Sequence, residues 1–303
     1  MIQPETVSLK SVCGPKYWPA WIGLGLLRLG ILLPFSWQVC IGKGIGRILA
    51  KVARNRTEVA RANIQYCFPK LNKAEQQTLV EKHFASLGIA LFETAQCWWG
   101  SPKQLDQLVK SIDGLEHVHA AQQNGNGVIL LSAHFTTLEI SARLLAKHCL
   151  FAPVYRKMNS RIQEYFTQQG RSKGSDGGAI AHTNIKGIIR QLRKGGAIWF
   201  ASDQQHQGGN SALVNFCGQP AHSATGTSTF AKLGKATVIP FFTRRVKDGY
   251  ELQLLPALEN FPSGDNQADT ERYHHLIEQQ IELVPEQYLW VHRRFKDAPG
   301  APY

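Results

Sequence analysis

Between Trp18 and Ile41 the chain reads WPAWIGLGLLRLGILLPFSWQVCI, with Arg28 as its one charge. A helix of about 20 apolar residues is long enough to cross a bilayer. Trp18, Trp21 and Trp37 sit near the ends of the stretch, where an aromatic belt belongs. Its apolar part is too long for a signal peptide, and no small-x-small cleavage site follows. Lys10 and Lys16 precede it, whereas Lys43, Arg47, Lys51, Arg54, Arg56 and Arg61 follow. The heavier positive side is C-terminal, which predicts that the rest of the chain faces the cytoplasm. Arg28 near the middle and Pro34 oppose a straight span. Three readings stay open: a spanning helix, a helix lying in the interface, or a soluble hydrophobic helix. The first two bring the cations from Lys43 to Arg61 to anionic head groups, each worth ~1 kcal/mol there. Residues 1–62 are therefore expected to form an N-terminal membrane anchor and a basic amphipathic helix (42–62), and residues 63–303 a separate α/β domain.

The remainder changes character along its length. Residues 73–99 carry apolar residues at helical spacing (Leu79, Val80, Phe84, Leu87, Leu91) and predict a helix. Beyond Trp98-Trp99-Gly100, short apolar runs alternate with helical patterns. Strands are predicted at 127–133, 151–155 and 197–201, and at 237–246 and 250–255 around a tight turn at Lys247-Asp248-Gly249. Helices are predicted at 138–148, 162–169, 185–194 and 269–283, with a polar loop at 172–178. The alternation predicts an α/β fold: a mainly parallel mixed sheet flanked by helices, preceded by a membrane-associated N-terminal helix. Such sheets place ligands beyond the carboxyl ends of their strands.

Composition removes several function classes. With 43% hydrophobic and 18% charged residues the chain is neither disordered nor a coiled coil. Lys plus Arg is 34 against 22 Asp plus Glu, a net charge of +12, so the surface suits an anionic partner: nucleic acid, anionic lipid or an acidic protein. No nucleic-acid motif accompanies the charge. The 6 Cys are scattered, without CxxC or metal-ligand spacing, and read as separate reduced thiols; no metal is expected. Walker, GxGxxG and GxSxG motifs are absent, so no activated nucleophile stands out.

Three features fall at strand ends or in the loops beyond them. His134 follows the first predicted strand, in His134-Phe135-Thr136-Thr137-Leu138-Glu139. A histidine acting as a base needs a partner for its tautomer and its charged form. Glu139 is the candidate partner, with His134 on the turn and Glu139 in the early helix. Arg156 follows the second strand, and Arg171 lies in the polar loop after Gly170, where an arginine suits an oxyanion or a phosphate. Asp203 follows the third strand and is placed to orient Arg171. Each feature alone also fits a bland reading: a satisfied strand-end histidine, a solvated loop cation, a turn-forming aspartate.

Taken together, His134-x4-Glu139, Tyr155-Arg156, Gly170-Arg171, Asp203, Ala224-Thr225 and the stretch from Pro285 to Lys296, PEQYLWVHRRFK, resemble the late (secondary) Kdo-dependent lauroyl/myristoyl acyltransferases of lipid A biosynthesis. The early Arg61-x-Asn63-Ile64-x2-Cys67-Phe68-Pro69 fits the same pattern, and the resemblance runs along nearly the whole chain. It implies an inner-membrane acyltransferase with its catalytic domain in the cytoplasm. The donor implied is an acyl thioester on acyl carrier protein, with no bound cofactor. The acceptor implied is a hydroxyl of an anionic, Kdo-bearing lipid A precursor. His134 is then the general base, Glu139 its support, and Arg171, Asp203 and Arg156 an oxyanion- or phosphate-binding group. His292, Arg293 and Arg294 either bind substrate phosphate or lock the C-terminal segment. Phe135, Trp98, Trp99 and Trp199 are candidates for an acyl groove, and equally for plain core. Other classes compatible with the same residues are a glycerolipid acyltransferase, a membrane-bound thioester hydrolase using the His134/Glu139 pair, and a non-enzymatic basic membrane protein.

Overall fold

The computed structural model describes residues 7–172 and 178–303; the side chains of residues 169, 171 and 172 lie outside the description as well. Two short 3-10 turns, Leu9–Val12 and Pro15–Tyr17, lead into α1 (Trp18–Gly30), α2 (Phe35–Val52), α3 (Arg54–Cys67), α4 (Lys73–Trp99) and α5 (Pro102–Leu108). The alternating part follows as β1 (Val109–Asp113), α6 (Leu115–Gln123), β2 (Gly127–Ser132), α7 (Leu138–Leu145), β3 (Ala152–Tyr155), α8 (Arg161–Ser172), β4 (Ile180–Ala181), α9 (Ile185–Arg193) and β5 (Ala197–Ala201). The last third holds β6 (Ser211–Phe216), β7 (Gln219–Ala224), α10 (Gly226–Gly234), β8 (Ala236–Val246), β9 (Gly249–Leu254), α11 (Asn266–Leu283) and a 3-10 turn at Pro285–Gln287.

Seven strands form one sheet in the order β1-β9-β8-β2-β5-β3-β4, and β6 pairs with β7 in a separate hairpin. Strands β8, β2, β5, β3 and β4 run parallel to one another, while β9 pairs antiparallel with β8 and parallel with β1. This is the mixed, mainly parallel sheet that the alternation predicts. Strand β2 is buried along its whole length, which is why it reads as a continuous apolar run rather than an alternating one. Its side chains alternate between two cores. Ile129 and Leu131 pack on one face with α3, α4, α9 and α11, and Val128 and Leu130 on the other with α5, α6 and α7. The turn into β9 carries Asp248 at φ 63°, the left-handed backbone expected of a tight Asp-Gly hairpin.

The N-terminal segment differs from a single spanning helix. Gly30 closes α1, and Pro34, extended at ψ 146°, opens α2 as its N-cap. Among the described residues no helix is long and apolar enough to cross a membrane. The basic stretch 42–62 is likewise divided, at Ala53, between α2 and α3. Both early helices keep an unpartnered apolar face. Trp18, Ile22, Leu26 and Leu29 on α1 are 61–65% exposed, and Trp37, Ile48 and Val52 on α2 are 62–76% exposed.

The other side of α2 is glycine-lined and meets α4 backbone to backbone. A Cβ added at Gly88 would stand 2.0 Å from the Gly42 carbonyl oxygen, and one added at Gly46 2.1 Å from that of Phe84. Helix α4 itself begins in a capping box. Asn72 Oδ1 accepts from the Ala74 and Glu75 amides, and Glu75 accepts the Asn72 amide at 2.8 Å.

Candidate active site

Parallel neighbours β2 and β5 run in register, with Ser132 opposite Ala201. Two residues beyond that pair stand His134 and Asp203. The register therefore sets these two residues side by side at the carboxyl edge of the sheet. The Asp203 carboxylate accepts the His134 main-chain N–H with both oxygens, at 3.1 and 3.0 Å, and its Oδ1 lies 2.5 Å from His134 Nδ1. The carboxylate is 1% exposed and the imidazole 22%. Asp203 thus holds the histidine itself; the side chain of Arg171, which the sequence reading sets Asp203 to orient, lies outside the described residues.

Electrostatics fix the proton positions. Burial pushes the Asp203 carboxyl up, but His134, its ring and amide hydrogen bonds, and the Tyr288 hydroxyl outweigh burial and hold it well below the usual carboxylate range. An ionised carboxylate only accepts, so His134 Nδ1 carries the hydrogen between them. Behind Asp203 the strand end is anchored by a chain of hydroxyls: Thr227 to Ser202 at 3.0 Å, Ser202 to Tyr273 at 2.8 Å, and Tyr273 to the Ala224 carbonyl at 3.1 Å.

The C-terminal stretch completes the site from the opposite side. Tyr288 forms an isolated antiparallel bridge with Phe135, and the Leu289 N–H donates to the His134 carbonyl at 2.9 Å. Tyr288 is buried, which pushes its phenol well above the usual range and keeps it a hydrogen-bond donor to Asp203. His292 Nε2 accepts the Gln205 N–H at 3.3 Å, and burial lowers that imidazole to about 4 against the opposing pull of Asp203. Arg294 is 1% exposed. Its guanidinium donates to the His222 carbonyl at 2.8 Å and to Ser223 Oγ at 2.5 Å, and lies 4.7 Å from the Phe216 ring centroid. Of the two roles open to it, Arg294 occupies the locking one, tying the chain end to the β6–β7 hairpin. Arg293 is exposed, 5.7 Å from the Tyr303 ring centroid. Asn63 joins the two sequence stretches: its buried amide donates to the carbonyls of Trp290 and His292, both at 2.7 Å.

The remaining candidates fall as follows. Glu139 sits half-buried in the first turn of α7, and His134 Nδ1 is taken by Asp203. Arg156 is exposed directly after β3, beside the strand that delivers Asp203. Arg171 belongs to the last turn of α8, but its side chain, like most of the loop at 172–178, lies outside the described residues. Phe135 packs edge-on against Tyr288 and Phe242, and Trp199 against Phe151, so both are core. Trp98 stacks on Phe166 of α8 with centroids 5.1 Å apart, in an aromatic cluster that Trp99 and Trp21 join. Among the described residues no group of three or more His, Cys, Asp or Glu side chains is placed to hold a metal ion.

A histidine–aspartate pair at a sheet edge is shared by many chemistries, so the sequence as a whole decides the family. The profile of the bacterial lipid A biosynthesis acyltransferases matches residues 6–297. The chain belongs to that family. It is 33% identical over 299 residues to the lipid A biosynthesis palmitoleoyltransferase of Escherichia coli K12, covering 98% of this chain and 97% of that protein. To the lauroyltransferase of the same organism it is 32% identical over 292 residues, 95% of each chain. To the myristoyltransferase it is 24% identical over 292 residues, 95% of this chain and 90% of the other. The protein is accordingly an acyltransferase of lipid A biosynthesis.

The sequence places His134 and Asp203 at strand ends and carries the PEQYLWVHRRFK stretch, but it gives Tyr288 no role of its own. The available signal was the strand-end position of His134 and Asp203 together; what was missing was the adjacency of β2 and β5.

Proposed function

We propose that this acyltransferase moves a fatty acyl chain from the thioester of acyl carrier protein to a hydroxyl of a Kdo-bearing lipid A precursor at the inner membrane, with His134 as general base. The observation that carries the reading is the His134–Asp203 pair, a part-exposed imidazole whose Nδ1 is held by a buried carboxylate.

The step balances without an acyl-enzyme. Nε2 takes the proton of the acceptor hydroxyl as its oxygen bonds to the thioester carbonyl carbon. The tetrahedral intermediate collapses, the C–S bond breaks, and the imidazolium returns its proton to the departing thiolate. Products are an ester and a free carrier thiol. Asp203 stabilises the transient imidazolium, and general-base help from a positioned histidine is worth about 10²–10⁴ in rate. Glu139 in the adjacent turn supports the histidine. The reading assigns Arg156 and Arg171 to the oxyanion or an acceptor phosphate, and His292 and Arg293 to binding of the anionic lipid.

Residues 1–62 serve as the membrane-contacting part and residues 63–303 carry the chemistry. What supports this is the pair of exposed apolar faces on α1 and α2 together with the cations Lys43, Arg47, Lys51 and Arg54, an arrangement suited to lying in the interface of an anionic leaflet.

The test is mass spectrometry of the lipid formed from acyl carrier thioester and precursor by the wild type and by His134→Ala. Wild type adds one acyl mass and His134→Ala does not. Thioester loss at the same rate with and without acceptor would replace transfer by hydrolysis.

A further inference from the structure

Gln287, the last residue of the Pro285–Gln287 turn, makes an unusual contact. Its side-chain amide grips the main chain of Arg245 on both sides. Oε1 accepts the Arg245 N–H at 2.9 Å, and Nε2 donates to the Arg245 carbonyl at 2.9 Å. A side chain so doubly bonded takes the place of a neighbouring strand at the end of β8. The Gln287 carbonyl in turn accepts the Thr136 N–H at 2.7 Å. Gln287 is 3% exposed, so these bonds form away from water.

Arg245 is held just as firmly. Its guanidinium forms a two-pronged pair with Glu93 of α4, at 2.7 and 2.8 Å, and Tyr250 donates to the same carboxylate at 2.8 Å. The remaining nitrogen, Nη1, donates to Ser86 Oγ at 2.8 Å, the Nη2 that holds Glu93 also reaches Thr136 Oγ1 at 3.4 Å, and Ser86 and Thr136 bond each other at 2.7 Å. A buried fork of this kind is rigid as long as every donor is satisfied. Helix α4, strand β8, the chain end and the β2–α7 turn are therefore tied at one point, two residues from His134.

We propose that the Gln287 amide locked on Arg245 is the positioning device that aims the His134 imidazole. It fixes the chain end so that Leu289 N–H holds the His134 carbonyl and Tyr288 meets Asp203, while Thr136 is held on the other side of the histidine. Arg245 and Gln287 act through His134 and are positioning residues. The inference rests on the acyl-transfer reading only for its kinetic arm. Misplacing a base by about 1 Å costs about 10²-fold in rate.

The experiment compares Gln287→Met, which keeps length and removes both amide bonds, with Arg245→Lys, which keeps charge and loses the fork. Asp269→Asn serves as a stability control: that buried carboxylate caps the Ser263 amide and belongs to no part of this network. Three quantities are read on the full-length protein: the thermal midpoint, kcat and KM for both substrates, and the far-downfield proton resonance of the short His134–Asp203 hydrogen bond, assigned by its loss in His134→Ala. Gln287→Met and Arg245→Lys are expected to lower kcat by about 10- to 100-fold, with KM changing less than about twofold, and to shift or broaden the resonance. Asp269→Asn is expected to lower the midpoint and leave kcat and resonance alone. An unmoved resonance in both folded variants overturns the proposal. A shifted resonance in a protein that transfers no acyl group leaves the clamp standing and removes the acyl-transfer reading. If Gln287→Met fails to fold, Arg245→Lys decides alone.

Discussion

Asp203→Asn separates the two carboxylates between which the histidine can be assigned. On the proposed mechanism the pair begins as a hydrogen bond between ring and carboxylate. In the transition state the ring gains a proton, and a unit negative charge stands beside it. With 2.5 Å between Nδ1 and Oδ1, the charge centres are about 4 Å apart, which at an effective dielectric of 20 gives about 4 kcal/mol. That is about 10³-fold in rate. Asparagine keeps the shape and removes the charge. It also turns an NH2 toward one of three donors, the His134 amide, the His134 ring or the Tyr288 hydroxyl. The expected loss in kcat is therefore about 10³-fold, with KM for the acyl donor nearly unchanged. The assay is saturating transfer kinetics beside a thermal midpoint, so that misfolding is seen separately. Glu139→Gln is measured in parallel. Activity of Asp203→Asn within threefold of wild type, with a heavy loss in Glu139→Gln, would refute the assignment and restore the carboxylate five residues on as the partner.

Further outcomes follow from burial. Desolvation lowers His83 to about 4, against a hydrogen bond to the Glu286 carbonyl, and lowers His274 to about 3, with Arg294 adding to the effect. Both fold as neutral rings while the unfolded chain takes up protons below its ordinary histidine value of about 6.5, so stability is full above that pH and falls as pH drops toward 3 to 4. At roughly 1.4 kcal/mol per unit the two together remove several kcal/mol; His274→Phe should flatten the slope of Tm against pH, and a slope equal to wild type would refute this origin. Gly88→Ala puts a Cβ 2.0 Å from the Gly42 oxygen and should destabilise by about 1–3 kcal/mol or more, whereas Gly44→Ala, with nothing within 4 Å, should be neutral or mildly stabilising. Equal melting of the two would show that α2 and α4 do not meet as described.

The alternation of β2, α7, β3, α8, α9 and β5 is legible because each buried strand is a short apolar run bounded by glycine or polar residues. Strand β5 falls at its predicted bounds, 197–201, and β2 ends one residue early. The hairpin of β6 and β7 is not legible: it reads SALVNF and QPAHSA, with polar and small residues that pack only because Arg294 and α11 cover them. The apolar stretch from Trp18 to Ile41 reads as one element, whereas Pro34 divides it between α1 and α2, and within it Ile31 and Gln38 alone are buried. In the site, His134 and Asp203 are each readable as strand-end residues. That they bond each other depends on β2 lying next to β5, a property of strand order that spacing along the chain does not contain.

The seam of Gly42, Gly46 and Gly88 has one more consequence. Helices that touch main chain to main chain have no side-chain cushion through which to rock, and α4 reaches from that seam to Ser86 and Glu93 beneath the histidine turn. Whatever the exposed faces of α1 and α2 rest upon, the imidazole keeps one elevation and one tilt above it. On the proposed function an acceptor hydroxyl has to arrive at that level, and reach becomes a selection rule built into the frame.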